Sequence, residues 1–276
     1  MLRLLLQELQ FRRNGIIGWA IGLSFFPAMY VGIYPQFEAE LEGMQAIMDL
    51  EIYKAMGMSF ATFEDWMAST VINIIPVIVA IYAVINGTGT LAGEEDDGKL
   101  ELVVTLPIPR WQIVTAKGIA LGVALFLILS LQGIVSAAVF LAIKDQIAAT
   151  TLTGTDVFMA MVSAWPVVFA IAMISLFLGT LCPRRRIAAL IGTAVVIISY
   201  FGSNLTGQVS SLENLEPFFL FYYFDATATA FTDGQEAGQV TALLGIALVA
   251  YGLALFFFQR RNITVGAWPW QRAKIA

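Results

Sequence analysis

Residues 86–117 read NGTGTLAGEEDDGKLELVVTLPIPRWQIVTAK, and this stretch joins two long apolar segments. Four consecutive acids, Glu94, Glu95, Asp96 and Asp97, lead through Gly98 into an apolar run from Leu100 to Leu106, which Pro107 ends. Leu100, Leu102, Val104 and Leu106 alternate as in a strand, while Leu100, Val103 and Val104 also fit the i, i+3, i+4 spacing of a helix. A lone strand has no partner in so short a connection. A short helix is the better reading, with the acids at its positive N-terminal end and Pro107 at its stop. Its apolar residues cover nearly every side, so something must bury them: a groove on a partner, or the membrane interface with its neighbouring helices.

On both sides of this stretch the chain is too apolar for a soluble domain. It is 59% hydrophobic and 13% charged, against about 25% charged for an average soluble protein. Six runs carry no charge at all: residues 14–37, 67–93, 118–143, 157–183, 187–212 and 237–259. Each exceeds the roughly 18 residues that mark a membrane-spanning helix. The expected architecture is an all-α polytopic membrane protein of six transmembrane helices, with an N-terminal interfacial helix over 1–13 and a cytosolic coupling helix in the 94–117 loop. The whole chain, 1–276, is expected to form a single transmembrane domain without internal repeat. A cleaved signal peptide is the poorer account of Arg12, Arg13 and the apolar run that follows, because that run is long and five more succeed it.

Leu2, Leu5, Leu6 and Leu9 recur at helical spacing, with Arg3, Gln7 and Gln10 elsewhere on the wheel. That pattern suits a helix lying in the interface plane, although a cytosolic extension of the first span explains it as economically. The basic residues set the orientation. With both termini inside, all 15 lysines and arginines except Lys54 and Lys144 fall on the cytoplasmic side, as the positive-inside rule requires. The outer loop 38–66 is amphipathic, ending in Phe60, Phe63 and Trp66, an aromatic approach of the kind found at membrane interfaces. Residues 216–231, EPFFLFYYFDATATAF, hold too short an uncharged core to cross and read as an interfacial or re-entrant helix.

Several chemistries are poorly supported. There is no histidine and only one cysteine, Cys182, which excludes an intrachain disulfide and metal sites of the Cys/His kind. The glycines Gly87, Gly89 and Gly93 lack the dinucleotide-binding spacing, and no phosphate-binding loop occurs. No Asp, Glu, Lys or Arg lies within the six runs, so an ion-driven carrier has no obvious charge relay. Asn73, Asn86, Gln132 and Ser136 are the polar candidates for lining a passage, although interhelical hydrogen bonding is the commoner role. The pairs Gly18 with Gly22 and Gly118 with Gly122 permit close helix packing. Scattered outer acids such as Glu38, Glu40, Asp49 and Asp225 keep a membrane-embedded lipid-modifying enzyme in view as an alternative.

The loop EEDDGKLELVVTLPIPRWQIVTAK resembles the signature of type-2 ABC exporter permeases. In that family an acid-glycine step precedes an apolar helix, then proline, a basic residue and a lysine opening the next span. The likeness extends to the amphipathic start, the six spans, the aromatic segment between the last two and FFFQRRNITV at the final exit, where Asn262 stands in place of a frequent acid. The resemblance implies a permease of the prokaryotic cell membrane that exports substrate by alternating access and pairs with a second copy or a homologous permease. Separate ATP-binding-cassette ATPase subunits would hold ATP and Mg; this chain would bind no cofactor and no nucleic acid. It further implies that Glu94, Glu95 and Gly98 form the entrance to the coupling loop. Leu100, Leu102, Val103, Val104 and Leu106 would form its helix, and Pro107, Arg110 and Lys117 its return to the membrane.

Overall fold

The computed structural model describes residues 1–48, 62–94, 108–147, 150–207, 210–227, 231 and 234–260. Six helices among them are long and apolar enough to cross a membrane, and no strand occurs among the described residues. They are α1 (Leu2–Met48), α2 (Phe63–Gly93), α3 (Arg110–Ile143), α4 (Gly154–Leu181), α5 (Arg185–Thr206) and α6 (Ala237–Arg260).

Helix α1 has 47 residues, about 70 Å at 1.5 Å per residue, far more than the roughly 30 Å of bilayer hydrocarbon. No break separates residues 1–13 from the first span, so the backbone there follows the extension reading. The same helix also runs on through residues 38–48, the start of the stretch read as an outer amphipathic loop, while residues 49–61 of that stretch lie outside the described residues. Nothing in LRLLLQELQFRR interrupts a helix, and Asn14-Gly15 alone does not break it. Pro27 and Pro35 lie inside α1; each removes one backbone donor without ending the helix.

Helices α2 and α4 form the buried centre, and α5 and α6 are the most peripheral. α4 packs against α2, α3, α5 and α6, while α1 runs alongside α3. Both central helices are interrupted. α2 carries a π-turn at Ala68–Ile72 and a break at Asn73 and Ile74 before Pro76. α4 breaks at Ser163 and Ala164 before Pro166. In both, the proline sits in the first turn of the resumed helix, where its missing N–H costs least. A Cβ on Gly87 would lie 2.6 Å from Ser175 Cβ and 3.0 Å from the Ala172 carbonyl. The absence of a side chain there lets the backbones of α2 and α4 touch. Gly118 meets Met173 and Leu176, and a Cβ on Gly122 would press on the Phe169 ring, so this pair packs α3 on α4. Gly18 and Gly22 face open space.

Two sequence expectations are corrected. Phe63 and Trp66, read with Phe60 as an aromatic approach lining the membrane interface, are buried within the chain; Phe60 lies outside the described residues. Phe63 stacks on Phe140 and meets Tyr34 edge-on, while Trp66 donates to the Tyr30 carbonyl at 3.1 Å. The reason is that α1 continues past the span and offers them an aromatic wall of Tyr30, Tyr34 and Phe37. The segment after α5 forms two 3-10 turns, Ser210–Phe218 and Leu220–Tyr223, in place of one helix. Ser199 Oγ accepts from the Leu220 and Phe221 amides at 2.5 and 3.4 Å, holding the turns against α5. Gly202 makes room for the Phe219 ring, which a Cβ would meet at 2.2 Å.

Candidate functional site

A polar cluster lies where α1, α2 and α3 meet, at the stem of the 94–117 loop. Lys117, in the second turn of α3, is only 2% exposed. Its Nζ donates to Glu94 Oε1 at 2.6 Å and to Glu8 Oε1 at 2.7 Å. Glu94 closes α2 and Glu8 lies in the first turns of α1, so one ammonium ties three helices. A buried ammonium is tolerated only when paired and hydrogen-bonded, and here two carboxylates supply that pairing.

The cluster continues into a second cation. Arg12, one turn beyond Glu8 and 3.5 Å from its Oε2, donates through Nη1 to Asn86 Oδ1 at 3.2 Å and through Nη2 to Thr90 Oγ1 at 2.7 Å. Asn86 in turn donates to the Tyr82 carbonyl, and Thr90 to the Asn86 carbonyl. Two acids and two bases balance, which lets the group sit partly buried at modest cost. The π-turn Gly89–Gly93 closes α2 beside it. There Arg185, from the first turn of α5, lies across the helix: its guanidinium would be 3.1 Å from a Cβ on Gly89 and its Cδ 3.2 Å from one on Gly93. Its Nη2 reaches the Ile85 carbonyl at 3.4 Å. An arginine at a helix N-terminus opposes the local dipole, and this reach toward the C-terminal part of α2 offsets the conflict.

The returning side of the loop is fastened elsewhere. Arg110, the first residue of α3, donates to the Phe258 and Gln259 carbonyls at 3.3 and 3.4 Å. Those are carbonyls of the last turn of α6, which have no partner within their own helix. Thr115 and Tyr251 share a hydrogen bond of 2.5 Å one turn further along. One side of the stem is therefore locked to α1 and the other to α6.

Among the residues that sequence reading assigned to the loop, Glu94, Arg110 and Lys117 are described and stand in these contacts. Glu95, Gly98, Leu100, Leu102, Val103, Val104, Leu106 and Pro107 lie outside the described residues. Of the polar residues named for a passage, Asn86 is bound to Arg12, and Asn73 sits half-buried at the break in α2. Gln132 and Ser136 are wholly enclosed within the chain. Ser136 donates to the Gln132 carbonyl, and both amide atoms of Gln132 lack a hydrogen-bond partner among the described residues. Glu8 and Arg12 were missed as site residues. Their signal was present, since Glu8 is the only acid in residues 1–13 and stands one helical turn from Arg12.

A family model described as ABC-2 family transporter protein matches residues 2–263. This chain belongs to the ABC-2 transporter family. The match takes in α1 with its Glu8 and Arg12, the loop and its stem, and all six long helices. The chain is therefore a multi-pass membrane component of an ABC transporter, of the kind that works with an ABC ATPase. Comparison with curated proteins gave no match.

Proposed function

We propose that this chain is the membrane-spanning permease of an ABC exporter, driven by separate ATPase subunits that dock on the 94–117 loop. Both termini and the Lys117 end face the cytoplasm of a prokaryotic cell. Two copies, or one copy and a homologous permease, complete the passage. ATP and Mg bind the partner subunits, and their closing and reopening switches the permease between inward and outward access.

The observation that supports this reading best is the fastening of the loop's stem. A load applied to a flexible loop would be lost in local motion. Here Glu94 and Lys117 join α1, α2 and α3, while Arg110 grips the end of α6, so displacement of the loop moves four helices together. Discrete, packed networks of this kind carry coupling between sites. The acids of the loop entrance and the apolar run Leu100 to Leu106 suit a groove on a soluble subunit.

The test is reconstitution with the ATPase expressed from a neighbouring gene. ATP hydrolysis stimulated by the permease, together with ATP-dependent movement of substrate out of inside-loaded vesicles, is the expected result. Hydrolysis indifferent to the permease, or transport driven by an ion gradient without ATP, would overturn it.

A further inference from the structure

At the end of the bundle remote from Lys117, a cavity of about 460 Å³ opens between α3, the broken helix α4 and the start of α6. Its volume lies within the range of small-molecule sites. Much of its lining is aromatic and apolar, including Phe126, Trp165, Pro166 and Val240. The Trp165 ring is fixed, stacking on Phe169 at 4.8 Å and donating to the Gly122 carbonyl at 2.9 Å. Asp156, Gly234 and Gln235 also belong to the lining. The Gln235 amide is fully engaged, bonding the backbone N–H and carbonyl of Asp225 at 2.9 and 2.6 Å.

Asp156 is the only charged residue among the described lining. Its Oδ2 caps the start of α4, accepting from Thr153 N–H and Thr153 Oγ, each at 2.8 Å. These hydrogen bonds all fall on Oδ2; the ammonium of Lys144 is near enough to act on the carboxylate but makes no ion pair with it among the described residues, and donates instead to the Leu152 carbonyl. Capping engages one oxygen and leaves the carboxylate, one of whose oxygens has no cap bond, among the lining of an aromatic pocket. Asp156 and Pro166 bracket roughly 15 Å of helix, so the charge lies at one end of an elongated space and the aromatic wall at the other. Met159 and Phe126, both substantially exposed, open its side outward.

We infer that this cavity binds an amphiphile with a cationic head, its ammonium on Asp156 and its apolar portion against Trp165 and Phe126. A carboxylate combined with aromatic faces is the chemistry that selects alkylammonium over neutral or anionic heads. The site is separate from the coupling end and stands whether or not the loop engages an ATPase. The head group comes either from an amine-bearing phospholipid or from a free lipophilic cation.

The test uses the full chain in nanodiscs of phosphatidylglycerol, photolabelled with a diazirine-bearing alkyl trimethylammonium and, separately, with the matching alkyl sulfate. Adducts mapped by mass spectrometry are expected on Met159, Trp165 and Phe126 with the ammonium probe and not with the sulfate. Asp156→Asn keeps an oxygen for the Thr153 cap but removes the charge, and is expected to lower labelling about tenfold. Ser163→Phe, which fills the cavity without touching the cap, is expected to abolish it. Adding phosphatidylethanolamine separates the sources: competition assigns the site to a lipid amine, and labelling that resists it assigns the site to free cations. Equal labelling by both probes, or labelling unchanged in both variants, would overturn the inference.

Discussion

Replacing Lys117 by methionine leaves Glu8 and Glu94 facing each other with no cation between them. Removing one partner of a buried pair costs about 3 kcal/mol, and the partial exposure of both carboxylates places this case at the low end. Thermal unfolding in detergent should show the loss directly. Glu8→Gln and Glu94→Gln should each be milder, because Lys117 keeps one carboxylate. The double variant should lose more than the two single losses combined, since it strands the ammonium; a double-mutant cycle measures that excess. Simple additivity would mean that the two carboxylates do not share Lys117. Gly87→Leu should also destabilise strongly, because the side chain would displace the Ser175 Cβ and the Ala172 carbonyl of α4.

Among the elements, the 3-10 turns after α5 and the broken helices α2 and α4 depart furthest from regular spans. Gly202→Leu should expel Phe219 from α5 and free the turns, which limited proteolysis would report as new cleavage between residues 210 and 223. Retained protection would place the turns' anchoring in the Ser199 hydrogen bonds alone. The six spans were legible because run length in an apolar environment is decided by bilayer thickness, a constraint local to the sequence. The ends of α1 were not legible. A span and its aqueous extensions have similar helix propensity, and composition marks where the membrane stops without marking where the helix stops. Phe63 and Trp66 were misplaced for a related reason: an interface aromatic and a core aromatic look alike until the facing wall of Tyr30, Tyr34 and Phe37 is known.

Across the whole molecule, the loop stem was only half readable. Glu94, Arg110 and Lys117 stood out as charges at the boundaries of apolar runs. Their partners, Glu8 on α1 and the last carbonyls of α6, are remote in sequence, and side-chain charge alone does not reveal which helices become neighbours. With those partners known, the loop's stem is fixed to the first and the last of the six long helices. Leu100→Asp and Val104→Asp place charge in a contact expected to be apolar, and each should weaken ATPase docking or separate hydrolysis from transport while leaving the fold intact.

The most direct measurement is co-purification under mild detergent of the permease with its ATPase, comparing the wild-type chain with Val104→Asp. The account predicts that the wild-type chain carries an ABC ATPase whose hydrolysis it stimulates, and that Val104→Asp, equally stable, loses either the subunit or the stimulation. An ATPase retained and stimulated equally by both chains would contradict it.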